Sequence, residues 1–387
     1  MDILYLNFTI FRYCGIWWPD QSASPKNHFY RIYTILIITM VYIFTLTQIL
    51  DMVNGNYDID EITNNSFLML TMIGLCIKVT NFSLRRRSIV TLLNILRNDI
   101  CRPQNDSEIK IQKHFDGVAR SNTLYFSVLS ETTTIAFLII PLLTKSYEER
   151  TLPFKAWLPF SLSRLTIYWL IYIQQSISIL ISTNLNVASD TLVSGLLVQA
   201  CAQLDILKDR ITRMKIKPLV ATEATFIGDI FYDEYVELTV KRCVRHHIVI
   251  YEFAAMVQDV FGWVVFFQFF VSMLTVCSSV FKLSQNDSDF LEVISFSLYL
   301  ACLLVQLLFY CWHGNEVKLK SIGVSDAVFA SDWTSLKPKM RKSLTMLMKR
   351  STGPIVITCG SMLTLSLGTF MMVLKTSYSA FNLLKTS

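Results

Sequence analysis

Charge is what this sequence has least of. Only 17% of its 387 residues are Asp, Glu, Lys or Arg, while 52% are hydrophobic and the mean hydropathy is +0.44. A soluble chain carries roughly 25% charged residues, so this composition cannot furnish a water-facing surface. An ordinary cytosolic enzyme, a disordered chain and a nucleic-acid binder using the net +6 are excluded. Catalytic and metal motifs are missing too. His246-His247 adjoins no His-Glu-x-x-His pattern, no Gly-rich phosphate loop precedes a helix, and the nine cysteines lack paired metal spacing. No catalytic residue, metal or cofactor is expected. Nine cysteines is an odd number with none in a segment assigned below to the outside, so no disulfide framework is expected. The first twenty residues scatter polar and charged groups among aromatics and offer no small-residue cleavage site, so no secretory signal is expected.

What is present is length without charge. Residues 32–50, 165–189, 260–281, 293–312 and 351–374 contain no Asp, Glu, Lys or Arg, and each is long enough to cross a bilayer as a helix. Residues 66–84 and 121–144 are two more candidates, interrupted only by Lys78 and Glu131. The expected fold class is an all-α membrane protein of seven transmembrane helices. Basic residues orient it. With the N-terminus cytoplasmic, 27 of the 35 Lys and Arg lie inside and seven outside, Lys78 being within a span. The C-terminus is then extracellular, the reverse of a G-protein-coupled receptor, and that class's Asp-Arg-Tyr and Asn-Pro-x-x-Tyr motifs are absent. Of five Asn-x-Ser/Thr sequons only those at Asn64 and Asn286 fall outside, which makes these two the glycosylation candidates.

The helical pattern continues below the membrane. Val193, Leu197, Ala200, Leu204, Leu207, Ile211 and Met214 form a heptad seam leaving the fourth span, ended by Lys215-Ile216-Lys217-Pro218. Val236, Val240, Cys243, His247, Ile250, Ala254 and Val257 repeat it on the way into the fifth. The two extensions are expected to pair antiparallel. A third inner helix is readable at 336–349 on Met340, Leu344 and Leu347, and Gly353-Pro354 interrupts it, so the seventh helix is split. These seams serve packing within the chain, contact with other subunits, or both.

The last run reads as a helix from Pro354 to about Lys385, about 48 Å at 1.5 Å per residue. One stripe holds Thr358, Ser361, Leu365, Gly368, Met372, Thr376, Ser379 and Asn382, suited either to close helix packing or to a pore face. The buried-charge candidates Lys78 and Glu131 are read as a structural pair, with a lone Glu131 lining a wet cavity as the alternative.

Specific residues then point to a family. Phe329 and Trp333, Lys349-Arg350-Ser351 before Gly353-Pro354, then Phe370, Val373, Lys375 and Tyr378-Ser379-x-Phe381-x-Leu383-Leu384 resemble the C-terminal signature of insect odorant receptors. Gly15-Ile16-Trp17-Trp18-Pro19 is similar to the stretch before their first span. Related gustatory receptors carry Thr-Tyr then Gln-Phe in the last helix; Ser377-Tyr378, Ala380-Phe381 and Leu383-Leu384 favour the odorant branch. The chain lacks the larger loop between spans four and five of the shared co-receptor, and so resembles a ligand-specific tuning subunit.

The resemblance implies a subunit of an odorant-gated, non-selective cation channel, tetrameric with the co-receptor, in the plasma membrane of olfactory sensory neuron dendrites. Its partners are a small volatile odorant, membrane lipids and permeant cations, with no nucleic acid. It implies a ligand-binding bundle in 1–189 completed by the outer halves of spans five and six, an anchor in 190–259 and 313–353, spans five and six in 260–312, and a pore-lining segment in 354–387. Following each span from its outer end selects Met69, Ile73, Thr134, Phe137, Trp169, Tyr172, Ile173, Phe296 and Tyr299 as ligand candidates, an apolar set with a few hydroxyls. Thr376, Ser379, Phe381, Asn382, Leu384 and Lys385 are the pore and gate candidates. A lysine at a cation gate repels the permeant ion, so either the register falls on Asn382 and Leu384 or partner subunits dominate the constriction. The rivals are a seven-helix chemoreceptor acting through cytosolic effectors, a gustatory-type channel and, more distantly, a transporter.

Overall fold

A computed structural model describes residues 3–17, 25–55, 59–143, 152–159, 164–214, 226–284, 290–360 and 362–386. Six of its helices are long and apolar enough to cross a membrane: α2 (Pro25–Asn54), α3 (Ile59–Leu84), α5 (Asp106–Leu143), α6 (Leu165–Thr212), α7 (Phe226–Ser284) and α8 (Phe290–Phe329). The seventh crossing is α10 (Leu367–Thr386), whose 20 residues extend about 30 Å. Three shorter helices complete the chain: α1 (Tyr5–Tyr13), α4 (Arg86–Arg97) and α9 (Pro338–Ser351). Lys215 to Pro218, the expected stop after α6, and Asn286 lie outside the described residues. Asn64 falls within α3, its side chain outside the described set.

Spans four, five and six are far longer than a bilayer needs. At 1.5 Å per residue, the 48, 59 and 40 residues of α6, α7 and α8 reach about 72, 88 and 60 Å, so their inner halves stand in the cytosol. The extension of α8 departs from the expectation of a cytosolic loop after residue 312. Glu316, Lys318 and Lys320 ride on an unbroken helix, and Lys320 Nζ meets Asp205 of α6 at 2.7 Å. Residues 86–97, also expected as inner loop, form α4, which buries Ile89, Leu92, Leu93 and Leu96 and packs on α7.

The heptad seam of α6 understates its burial. All seven seam residues of α7 are buried and their helix keeps an exposed face, but every residue of α6 from Asp190 to Leu204 is buried, seam or not. The reason is that α1, α5, α7 and α8 surround it. Helix α1, which the sequence pattern did not mark, is one of these neighbours. Asn7 donates to the Ala188 carbonyl (3.2 Å) and to Thr191 Oγ1 (2.7 Å), and Leu4 packs so tightly that a Cβ on Gly195 would lie 2.6 Å from its Cδ2.

The last apolar run is a correction. Among the described residues, 354–360 and 362–366 are not helical. After α9 the chain runs extended, forms a two-stranded hairpin of β1 (Thr358–Cys359) and β2 (Leu363–Thr364), and only then enters α10. Pro354 has no N–H to continue a helix, and Gly360 takes φ +56° with Phe266 2.8 Å from where a Cβ would sit. Backbone donors freed at such a depth need partners. Ser321 Oγ of α8 accepts from Ile355 N (2.9 Å), Gln258 Oε1 of α7 accepts from Thr358 N (3.1 Å), and Leu365 N bonds Ile357 O (2.9 Å). The stripe from Thr358 to Asn382 is therefore not one helical face, and Ser361 lies outside the described residues.

The cytosolic bundle is held by buried polar groups. Arg210 of α6 makes a two-pronged contact with Glu108 (3.1 and 2.8 Å) and donates to the carbonyls of Ile100 and Arg102. It also donates to His246 Nδ1 (3.2 Å), which leaves the proton on Nε2 for Gln203 Oε1 (2.9 Å). His247 packs against Tyr251 with ring centroids 4.7 Å apart and planes tilted by 56°, and faces Ser351 of α9. Burial, aided by nearby arginines, holds His246 well below the usual imidazole value and His247 at about 4.

A histidine kept neutral when folded contributes stability that is complete above its unfolded value near 6.5 and lost as pH falls toward the folded value. We predict that the thermal midpoint of the detergent-solubilised protein falls between pH 6.5 and 4.5, and that the double change His246→Gln with His247→Gln flattens this dependence. An unchanged slope refutes it.

Candidate ligand cavity and pore helix

Four helices converge on an internal cavity of about 90 Å³. Its outer end is aromatic, with Phe67 from α3, Phe137 from α5, Tyr299 from α8 and Phe154 from the segment between α5 and α6. The rings interlock: Phe67 lies 5.1 Å from Tyr299 and 5.7 Å from Phe137, and Phe296 closes behind them at 5.0 Å from Phe67 and 5.5 Å, perpendicular, from Phe137. Edge-to-face packing of this kind stabilises beyond area alone. Tyr299 hydroxyl reaches Thr71 Oγ1 (2.5 Å) and the Phe67 carbonyl (3.2 Å), tying α8 to α3. The waist is aliphatic, with Leu68, Met72, Ile179 and Leu303 beside Thr133 and Thr134. The inner end mixes Leu75 and Phe126 with Ser130, Ser182, Asn186 and Gln306.

Below the cavity floor sits a buried charge pair. Lys78 Nζ of α3 lies 2.5 Å from Asp190 Oδ1 of α6, both nearly inaccessible. Lys78 also donates to Asn186 Oδ1 (2.7 Å), while Tyr310 (2.6 Å) and Gln306 (2.5 Å) of α8 donate to Asp190. Two residues of the cavity floor, Asn186 and Gln306, are thus ligands of the pair. The expected partner for Lys78, Glu131, is elsewhere: its Oε1 accepts from Asn184 Nδ2 at 2.6 Å. Helical geometry explains the miss. Asp190 sits at the end of an uncharged run, where a charge reads as the membrane boundary rather than as a buried counter-ion.

Of the ligand candidates, Thr134, Phe137 and Tyr299 line the cavity, and Phe296 backs its aromatic end. Met69 and Ile73 lie outside the wall that Leu68, Thr71, Met72 and Leu75 of the same helix form. Tyr172 donates its hydroxyl to the Leu138 carbonyl, and Trp169 packs against it at 5.7 Å, both outside the wall. Ile173 is 54% exposed on the outside of the bundle. On α6 the cavity uses Ile179, Ser182, Thr183 and Asn186, about three turns deeper than expected. The available signal was polarity, since Ser, Asn and Gln within an apolar span face the bundle interior.

Helix α10 packs on α7 and α8 through Val373 and Ser377, the latter donating to Met273 O at 3.4 Å. Thr376 and Ser379 are exposed, each hydroxyl bonded to its own helix at Met372 O and Lys375 O, and Asn382 is exposed on the next turn. The side chains of Phe381, Leu384 and Lys385 lie outside the described residues. Met371, Met372 and Tyr378 add apolar area to a helix face that the chain itself leaves uncovered.

The family model described as 7tm odorant receptor matches residues 58–378. The chain belongs to that odorant receptor family. Similar curated receptors include Odorant receptor Or1 of Anopheles gambiae, 24% identical across 100% of this chain and 95% of that one, and Odorant receptor 46a, isoform A, of Drosophila melanogaster, 24% identical across 95% and 93%. Among solved structures, the insect olfactory receptor OR5 from Machilis hrabei in complex with eugenol superposes with a TM-score of 0.85 at 19% identity, covering 99% of this chain and 97% of that one. The same receptor in a second structure gives 0.83. This odorant receptor therefore has the insect olfactory receptor fold, a multi-pass membrane architecture of seven crossings.

Removing one member of a buried pair leaves an uncompensated charge, at a cost of about 3–5 kcal/mol, whereas apolar replacement of both is near neutral. In this odorant receptor Lys78→Met is expected to abolish surface delivery or sharply lower the thermal midpoint, and Lys78→Met with Asp190→Leu to recover most of it. Equal damage from the single and double changes would contradict the pairing.

Proposed function

We propose that this chain is the ligand-specific subunit of an odorant-gated, non-selective cation channel that assembles as a tetramer with the odorant receptor co-receptor in the dendritic membrane of olfactory sensory neurons. The observation that carries this reading is the mainly apolar cavity between α3, α5, α6 and α8, lined by rings and hydroxyls, in a chain of the odorant receptor family. Such a lining suits a small, weakly polar volatile molecule, selected chiefly by shape. At about 90 Å³ it is well below the several hundred Å³ of sites for drug-sized ligands. Thr134, Phe137 and Tyr299 contact the ligand, with Phe296 setting the position of the rings.

The exposed face of α10 lines the pore, where Thr376, Ser379 and Asn382 offer hydroxyl and amide dipoles to hydrated cations. The inner halves of α6 and α7, with α9, form the anchor on which subunits meet. Exposed apolar side chains at Leu238, Ile248 and Met346 supply contact area for neighbouring subunits.

Co-expression with the co-receptor in cells lacking added G protein is expected to give inward cation current to members of a panel of small volatile esters, alcohols, terpenoids and aromatics. Phe137→Ala, which enlarges the cavity, is expected to shift preference toward bulkier panel members, and Asn382→Asp to change relative permeability to divalent ions. Current that requires nucleotide-dependent signalling and no co-receptor defeats the channel reading.

A further inference from the structure

The cavity is lined by several hydroxyls, and all but one have a partner. Thr71 is bonded to the Phe67 carbonyl and to Tyr299. Thr133 donates to Leu129 O and meets Cys302 Sγ, and Ser130 also meets that thiol. Thr134 donates to Ser130 O and meets Thr183 Oγ1 at 2.8 Å. Each floor amide has one atom engaged with the charge pair, since Asn186 Oδ1 accepts a hydrogen bond from Lys78 and Gln306 Nε2 donates one to Asp190.

Ser182 is the exception. It is 2% exposed, it lines the inner half of the cavity, and its Oγ has no hydrogen-bond partner among the described residues. This is not how serine and threonine behave elsewhere on α6. Ser176, Ser178, Ser189 and Thr191 each donate to the carbonyl four residues back, at 2.7 to 2.8 Å. That bond is the default for a hydroxyl on a helix in apolar surroundings. A buried hydroxyl without a partner destabilises the fold, and a ligand that supplies the partner recovers that loss on binding.

Position adds chemistry. The aromatic end of the cavity is toward the outside, the end at which α6 begins with Leu165, and Ser182 lies 17 residues further in, about 25 Å along the axis. A ligand filling the cavity with a hydrocarbon part among Phe67, Phe137 and Tyr299 presents its other end to Ser182. A hydroxyl both donates and accepts, so the group it recognises is an alcohol, aldehyde or ketone oxygen; among the described residues the cavity lining has no Lys or Arg to recruit a carboxylate, and Lys78 below it is held by Asp190.

We propose that Ser182 is the specificity-determining residue of this cavity, pairing with the single oxygen of a monofunctional alcohol or carbonyl compound and so setting the receptor against hydrocarbons of the same shape. This rests on the cavity being the odorant site, and it names the ligand class.

The experiment uses the full chain co-expressed with the co-receptor, and a panel of four- to eight-carbon alcohols and ketones matched with alkenes of the same skeleton. In the wild type, oxygenated members are expected to act at lower concentration than their hydrocarbon matches. Ser182→Ala is expected to raise the half-maximal concentration of the oxygenated agonists about fivefold to tenfold, the loss of one neutral hydrogen bond. The matched alkenes should stay within about twofold, and Ser182→Cys, of similar size with a weaker donor, should fall between. A shift of both classes alike, or of neither, overturns the role of Ser182 and leaves the cavity as the site. Responses indifferent to Ser182 and also to Phe137→Ala, or silence of the wild type to the whole panel, overturn the cavity reading and this proposal with it.

Discussion

The pairing of Lys78 with Asp190 constrains everything around it. A lone ammonium or carboxylate at that burial is prohibitive, so α3 and α6 must meet at one register. The carboxylate's remaining lone pairs then demand Tyr310 and Gln306, which fixes the rotation and height of α8. With three helices set at a common depth, the cavity above them has a defined floor, and α5 closes its fourth side through Phe126, Thr133 and Phe137. The site is thereby built on rigid elements whose placement does not depend on a ligand being present.

Much of the architecture was legible because lipid imposes a coarse rule. Four uncharged runs and two broken by a single charge located six crossings directly, and the distribution of lysine and arginine oriented them. The heptad steps of α7 and the Met340, Leu344, Leu347 stripe of α9 correspond to buried faces. What escaped notice had a physical reason in each case. Helix α1 is too short and too mixed in polarity to show a period, and its attachment comes from one amide, Asn7, in a distant contact. The all-round burial of α6 exceeds what a seam can encode, because a helix enclosed on every side needs no polar face. The hairpin before α10 hides in an apolar run because hydropathy cannot distinguish an extended segment from a helix once its backbone donors find side-chain acceptors such as Gln258 and Ser321.

The candidate cavity draws on the residue types expected but lies deeper on α6 than the expected residues. Aromatic rings at helical spacing led to Phe137 and Tyr299, while Trp169, Tyr172 and Ile173 of α6 lie at another level or face from the residues that helix gives to the cavity. Sequence spacing gives the face of a helix well and its vertical register poorly, since sliding a helix by one turn leaves its pattern intact. The counter-ion of Lys78 sat at the limit of a hydrophobic run, where it reads as an interfacial residue. Only tertiary contact with α3 reveals it as part of the interior.

The glycine at position 314 carries one further consequence. Helix α8 holds Tyr299, Cys302 and Gln306 against the cavity, and two turns below Gln306 its backbone at Gly314 abuts Leu365 so closely that a Cβ there would sit 2.4 Å from the leucine's own. About two turns further, Ser321 grips the backbone at Ile355. Helix α8, which lines the cavity, is thus also the footing of the extended segment that leads into α10. Axial displacement of α8 by one residue's rise is about 1.5 Å, more than that contact can absorb. A rod seated this closely cannot slide past the segment before α10 without displacing it.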